Sequence, residues 1–413
     1  MHYVILGAGP SGVTAAETLR KADKTSDITI IGGEVEPPYS RMAIPYLLSK
    51  DIEERGTYLR QTDGHYDAKA IRYVQGRAGG IDPKNKKVHL GDGNSVAYDK
   101  LLIATGASPI HPPIPGLYNE GVHNCWTLED ARAIAGTVSE GDPVVLMGAG
   151  FIGSIILEAL VKMGVKLTVV EMGDRMVPRM MDENAGNMIK RWSESKGVNV
   201  VTSTRINEVS KTDGGLTVTL SNGSELDAKL LVVAAGVSPN TTFLVGSGVR
   251  ADYGINIDEF MQTTTPDIYA AGDVAQGIDL STGEPDVLAI QPVAVEHGRI
   301  AALNMAGQPT PHRGSLNMNV LDTLGLISSS FGAWMGVEGG ETAYHIDDEN
   351  YKYLRLQFKG DKLVGAQSVG MTDHVGIARG LIQTELDLGK WKAELMKSPS
   401  RLAEAYIANA QGL

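Results

Sequence analysis

The sequence holds one cysteine, Cys125, among 413 residues, which excludes an intrachain disulfide and agrees with a reducing compartment. No apolar run approaches the roughly 18 residues that a membrane-spanning helix needs. The first apolar strand begins at Tyr3, so no signal peptide is expected ahead of it. Positive charge is the scarcer sign: 37 lysines and arginines against 49 aspartates and glutamates give a net charge of −12. That balance argues against a nucleic acid or an anionic membrane as the main partner, while leaving room for a local basic patch. The expectation is a soluble, cytoplasmic chain, long enough for two or three domains.

Glycine is plentiful, and its spacing is informative. The apolar strand Tyr3–Leu6 runs into Gly7-Ala8-Gly9-Pro10-Ser11-Gly12 and then a helix over Val13–Lys21. Gly7 permits the sharp turn, Gly9 lets backbone approach a pyrophosphate, and Gly12 lets the helix pack closely on its strand. The helix start offers unpaired N–H groups to phosphates. A second strand, Ile28–Ile31, precedes Glu34, whose carboxylate can accept hydrogen bonds from a ribose. An ordinary strand–turn–helix corner would explain the glycines alone. Strand, turn, helix, second strand and acid together predict dinucleotide binding. Arg41 follows in a proline-broken loop, either as a solvated charge or as a ligand of the cofactor phosphates. The apolar strand 101–103 ends in Ala104-Thr105-Gly106, small residues that leave space for a ligand at its carboxyl end.

Prolines at 109, 112, 113 and 115 mark a stiff linker, after which the opening pattern returns. Val144–Met147 leads into Gly148-Ala149-Gly150-Phe151-Ile152-Gly153, with Gly148 placed 141 positions after Gly7. The strand Lys166–Val170 ends at Glu171, 18 residues beyond Gly153, where a ribose-binding acid belongs. A carboxylate accepts from a free 2′-hydroxyl and repels a 2′-phosphate, so Glu171 favours NAD over NADP; Arg175 and Arg179 nearby soften that preference. Segments 71–98 and 198–220 read as β-meanders, and the exit strand 229–236 ends at Gly236 as its counterpart ends at Gly106. Further on, Ala271-Gly272-Asp273 closes another short strand; an isolated Gly-Asp would cap the following turn, but in a dinucleotide fold Asp273 is expected to accept from a polyol hydroxyl. A helix from Gln291 to Met305 carries His297, read as a surface residue rather than an acid–base group. Beyond Pro311, strands over 317–321, 326–331, 353–358 and 363–369 and helices over 375–387 and 399–409 form an α+β domain. It packs against the others or against a second copy in a homodimer.

The four motifs Gly7–Gly12 with Glu34, Ala104-Thr105-Gly106, Gly148–Gly153 with Glu171, and Ala271-Gly272-Asp273 resemble the pyridine-nucleotide-disulfide oxidoreductase superfamily. The resemblance is to the branch of ferredoxin, rubredoxin and nitrite reductase-like flavoproteins, over residues 1 to about 305. It implies an α/β fold of two Rossmann-like, glutathione reductase-like dinucleotide-binding domains plus a C-terminal α+β domain. FAD would lie in a discontinuous domain of residues 1–114 and 240–310, NAD(H) in 115–239, and 311–413 would follow as the third domain. FAD would sit on Gly7, Gly9, Pro10, Ser11 and Gly12 with Glu34, Arg41, Ala104, Thr105, Gly106 and Asp273. NADH would sit on Gly148, Gly150, Phe151, Ile152 and Gly153 with Glu171 and Gly236.

Relatives with a redox cysteine carry it where Met42 stands, in Arg41-Met42-Ala43-Ile44-Pro45-Tyr46; Tyr46 stands where ferredoxin reductases have a lysine near the flavin. Many relatives place a glutamate where this chain has Ile155, with Glu158 the nearest acid. No catalytic side chain and no metal site is assigned. The resemblance implies an FAD-dependent NAD(P)H oxidoreductase exchanging electrons with a ferredoxin- or rubredoxin-like protein. A cysteine-free NADH oxidase or small-molecule reductase, and a flavin-based redox sensor, remain as alternatives.

Overall fold

The computed structural model describes residues 1–373 and 375–410, which divide into two compact units. One comprises residues 1–43, 52–108 and 237–315; the other comprises 44–51, 109–236 and 316–413.

The first unit opens with β1 (His2–Leu6) and α1 (Pro10–Ala22). Pro10 stands in the first helical turn, where a missing N–H loses no hydrogen bond. β2 (Asp27–Gly32), β3 (Ile71–Gln75) and β4 (Lys100–Ile103) complete this part. All pair in parallel, in the order β4-β1-β2-β3. Val4–Leu6 and Leu101–Ile103 are buried at every position, as central parallel strands covered on both faces require. The segment from Ile71 was expected in a meander. It joins the parallel sheet instead, because the long connection from residue 33 to 70 supplies the crossover that parallel pairing needs. The meander is confined to 78–82, 87–90 and 95–97.

The second unit repeats this plan with β5 (Pro143–Met147), α2 (Phe151–Lys162), β6 (Lys166–Val170), α3 (Glu183–Ser195), β7 (Asn199–Val201) and β8 (Leu230–Val233). The same correction applies: β7 pairs in parallel with β6, and the meander is 206–212, 215–220 and 225–228. The chain then returns to the first unit. β9 (Ile268–Ala270) pairs with β4 at the sheet edge, and α4 spans Gln291–Met305 as expected. α4 lies so close to α1 that a Cβ on Gly298 would meet the Ser11 carbonyl oxygen at 2.3 Å.

The remainder of the second unit is an antiparallel sheet of β10 (Met318–Thr323), β11 (Leu326–Gly332), β12 (Glu341–Asp347), β13 (Lys352–Lys359) and β14 (Lys362–Val369), ordered β10-β11-β14-β13-β12. Helices α5 (Val375–Thr384), α6 (Lys390–Lys397) and α7 (Leu402–Ala410) follow. β12 escaped the sequence reading because it is an edge strand on which Ala343 alone is buried. Asp182 ties this sheet to α3. Its carboxylate caps the helix by accepting from the Ala185 N–H (3.0 Å), and also accepts from the Tyr353 hydroxyl (2.5 Å) and Arg355 Nη1 (2.8 Å). Trp192 Nε1 on α3 donates to the carbonyls of Thr323 and Leu324.

Asp182→Ala removes a helix cap and the carboxylate paired with the Arg355 guanidinium. It should lower apparent stability by about 3 kcal/mol in chemical denaturation, with Asp182→Asn, which still caps, losing about half of that. In the first unit, Arg60 donates twice to the Glu17 carboxylate (2.8 and 2.6 Å) and His65 Nε2 lies 2.7 Å from it. The Arg60 hydrogen bonds, against an opposing effect of burial and with help from His65, hold Glu17 down at about 2. A depressed carboxylate stabilises the fold above its ordinary pKa of 4.5, and that contribution disappears as pH falls toward 2. Denaturation followed from pH 6 to pH 2 should therefore show a shallower loss of stability for Glu17→Gln than for the parent.

Candidate active site: two glycine cradles

The two glycine turns obey the same constraints. Gly7 has φ +112°, and a Cβ there would lie 2.0 Å from the Ala104 carbonyl oxygen; Gly148 has φ +99° and the same conflict with Ala234 at 2.5 Å. A Cβ on Gly12 would lie 2.0 Å from the Gly7 carbonyl oxygen, and one on Gly153 2.1 Å from that of Gly148. The middle glycines differ. A Cβ on Gly9 or on Gly150 would meet nothing within 4 Å, and both residues have extended backbone (φ −76° and −71°). The protein's own packing demands the outer glycines but not the middle ones. The middle glycines face open space at a helix N-terminus, where a phosphate would need the backbone bare.

In the first unit, several groups converge on this turn. Ser11 is buried and its Oγ has no partner among the described residues. Gly272, with φ +78°, sits over it; a Cβ there would be 3.2 Å from Ser11 Cβ. Asp273 follows directly, after the Ala271 N–H has bonded the Ile103 carbonyl, so it lies beside the carboxyl end of β4. Burial pushes Asp273 up to about 6, against the pull of the Arg41 guanidinium. Arg41 Nη2 also bonds Glu34 (2.6 Å), its Nη1 bonds the Tyr39 hydroxyl (3.1 Å), and that hydroxyl donates to the other Glu34 oxygen. Ser40 Oγ donates to Gln291 Oε1, fixing this loop to the start of α4.

Asn240 was missed in the sequence. Its Nδ2 donates to the Thr105 carbonyl (2.9 Å), its N–H to the Gly106 carbonyl (2.9 Å), and its own carbonyl accepts from Thr105 Oγ1 (3.1 Å). It thereby holds Ala104-Thr105-Gly106 open at the strand end. Its position directly after Pro239, past the second exit strand, was the available signal.

In the second unit, Pro10 and Ser11 are replaced by Phe151 and Ile152, both half-buried at the start of α2. Glu171 is buried, and each of its oxygens accepts a backbone N–H at 2.6 Å, from Ala149 within the glycine turn and from Gly173. A carboxylate oxygen carries two lone pairs, so acceptor capacity is left on both. Arg175 is engaged by Asp174 (2.7 Å) and the Met181 carbonyl (3.0 Å). The Gly236 carbonyl accepts from the Ile110 N–H. Glu158 accepts from the Leu324 N–H and pairs with Lys162.

Cys125 is buried, and desolvation pushes its thiol up to about 12, so no thiolate nucleophile arises there. Met42 and Tyr46 are exposed. His297 corrects its expectation as a surface residue. It is 4% exposed, hydrogen-bonded through Nε2 to Ser315 Oγ (3.0 Å), and lowered by burial to about 4. One helical face could not reveal that the segment around Ser315 covers it.

A family model described as pyridine nucleotide-disulphide oxidoreductase matches residues 1–298. The chain belongs to the pyridine nucleotide-disulphide oxidoreductase family. It is an oxidoreductase of the FAD- and NAD(H)-dependent kind. The open middle glycines, the orphan Ser11 hydroxyl and the acids at the strand ends fit two dinucleotides. Among curated relatives, the NADH-dependent phenylglyoxylate dehydrogenase subunit epsilon of Aromatoleum evansii is 33% identical over 96% of this chain and 95% of its own length. A probable ferredoxin reductase of Castellaniella defragrans is 32% identical over 75% of this chain and 76% of its own. The solved NAD-dependent persulfide reductase from A. fulgidus superposes with a TM-score of 0.88 at 28% identity, covering 94% of this chain and 78% of that one. Among the described residues, no helix is long and apolar enough to cross a membrane.

Compared as flavin-free proteins, Gly9→Ala should melt within about 2 °C of the parent, because its methyl meets nothing. Gly12→Ala drives a methyl into a backbone oxygen and should lose about 3 kcal/mol or more, measured by thermal or chemical denaturation. Flavin content after purification should fall in both.

Proposed function

We propose that this chain is an FAD-dependent NADH oxidoreductase that passes electrons to, or takes them from, a small ferredoxin- or rubredoxin-like protein. The observation that carries this reading is the pair of middle glycines, Gly9 and Gly150. Each is left bare toward open space in a turn whose other glycines are explained by packing. The Gly7–Gly12 cradle then holds the FAD pyrophosphate, Ser11 donates its free hydroxyl proton to it, Glu34 takes the adenosine ribose, and Asp273 accepts from the ribityl chain. The Gly148–Gly153 cradle holds NADH, and Glu171 accepts from its ribose while disfavouring a 2′-phosphate. Bound together, the two cofactors supply hydride exchange between nicotinamide C4 and flavin N5; the chain's task is to align the rings. In domain terms, we assign FAD to residues 1–114 and 240–310, NADH to 115–239, and partner or subunit contacts to 311–413.

An acceptor protein is favoured over thiol or disulfide substrates because the single cysteine is buried and protonated, and Met42 offers no thiolate. A cytoplasmic setting agrees with that lone unpaired thiol. Anaerobic stopped-flow mixing with NADH and with NADPH, followed at the flavin absorbance, tests the reading. Fast bleaching by NADH and bleaching at least about tenfold slower by NADPH are expected, since a carboxylate facing a phosphate costs about 1.4 kcal/mol or more. Purified protein without flavin, or flavin that NADH fails to reduce, would sink it.

A further inference from the structure

The antiparallel sheet of the second unit floors an open cavity of about 100 Å³ whose lining residues are in neither glycine cradle. Its floor follows from strand register. Ser329 on β11 pairs with Ser368 on β14, which pairs with Leu354 on β13, so one row across three strands presents two hydroxyls and an isobutyl group. The next row on that face presents Phe331 beside Ala366. Ala378 of α5 and Leu402 at the start of α7 also line the space. Small side chains on both sides, Ala366 and Ala378, are what leave it unfilled.

The floor is chemically incomplete. Ser329 and Ser368 are 1% and 2% exposed, and their Oγ atoms are 2.7 Å apart. Two hydroxyls carry two donors, and their mutual bond uses one of them. Among the described residues the pair makes no other side-chain hydrogen bond, which leaves an O–H without an acceptor at the bottom of a mixed chamber, mostly apolar but also lined by Gln367 and Ser400. Among the described lining residues, Asp373 alone is charged, and its carboxylate is exposed at the rim.

We propose that this cavity binds a small neutral amphiphile: a ring-sized apolar body with one hydroxyl or carbonyl oxygen, the oxygen meeting the serine pair. An aliphatic-lined cavity of about 150 Å³ takes up benzene; this chamber, at about 100 Å³, is smaller and open at its rim, so a ring enters it with one edge left toward solvent. The serine pair donates the hydrogen bond that the ligand's oxygen needs, and Asp373 repels carboxylates, so a phenol is favoured over a benzoate. The inference is independent of the dinucleotide reading, because every residue it uses lies between 329 and 402.

Titration of the full-length, flavin-containing protein with phenol and with benzoate, by calorimetry and ligand-detected NMR, tests it. Phenol should bind saturably in the millimolar range, and benzoate at least about tenfold more weakly. Ala378→Phe, which fills the chamber, should abolish phenol binding. The double variant Ser329→Ala/Ser368→Ala should weaken phenol about fivefold and leave toluene unchanged. Absence of saturable phenol binding to the parent, which would mean a chamber holding water alone, overturns the proposal. So does phenol binding that survives Ala378→Phe, or benzoate binding as tightly as phenol. Should Ala378→Phe fail to fold, the serine double variant decides, and unchanged phenol affinity there overturns it.

Discussion

The carbonyl oxygens of Ala104 and Ala234 press against Gly7 and Gly148 so closely that no side chain fits between them. Much of each dinucleotide module depends on that approach. It sets the turn against the exit strand, which brings the helix N-terminus and the carboxyl end of the neighbouring strand to one edge of the sheet. A second approach, Gly12 or Gly153 against the turn's own carbonyl, fixes the helix on top. Backbone thus meets backbone where side chains would normally intervene. What is left open between these contacts is the length of N–H-lined turn that a pyrophosphate can occupy.

The two modules diverge in how they treat their acids. In the first, Glu34 is held by side chains, Tyr39 and Arg41, and Arg41 also tempers the charge of Asp273. Arg41 is thus bonded to one of the two acids and acts electrostatically on the other. On the proposed reading, a cofactor here would meet a guanidinium as well as two carboxylates, which would limit the repulsion of two acids beside a pyrophosphate. In the second, Glu171 is held by backbone. The C-terminal sheet is joined to that module through α3, where Asp182 and Trp192 bridge to β13 and to the Thr323-Leu324 corner.

Much of this was legible in the sequence, because short-range constraints leave a local record. Glycines at three fixed offsets, an acid closing the second strand and an exit strand ending in small residues are all properties of contiguous segments. α4 was readable from Gln291 to Met305 for the same reason. The failures share a different cause. Strands at 71 and 199 have the length and composition of meander strands, and only the crossovers before them place them in parallel sheets. His297 lies on a helix whose covering segment arrives 18 residues later, at Ser315. Asn240 serves a strand end 135 residues earlier, and Asp182 serves a strand 171 residues later. A single sequence carries no trace of pairings at that range.

Glu171 has a consequence for how this enzyme could change. Its carboxylate, proposed above to face a ribose, is also the acceptor for two otherwise orphaned main-chain amides, one of them inside the glycine turn. On that proposal, coenzyme choice and the shape of the turn are written in one side chain. A mutational path toward a 2′-phosphorylated coenzyme that begins by removing this acid would first unfasten the loop that has to hold any coenzyme at all. Such a path needs the amides of Ala149 and Gly173 to find new acceptors before, or together with, the change in charge. That ordering restricts which histories are open to the fold.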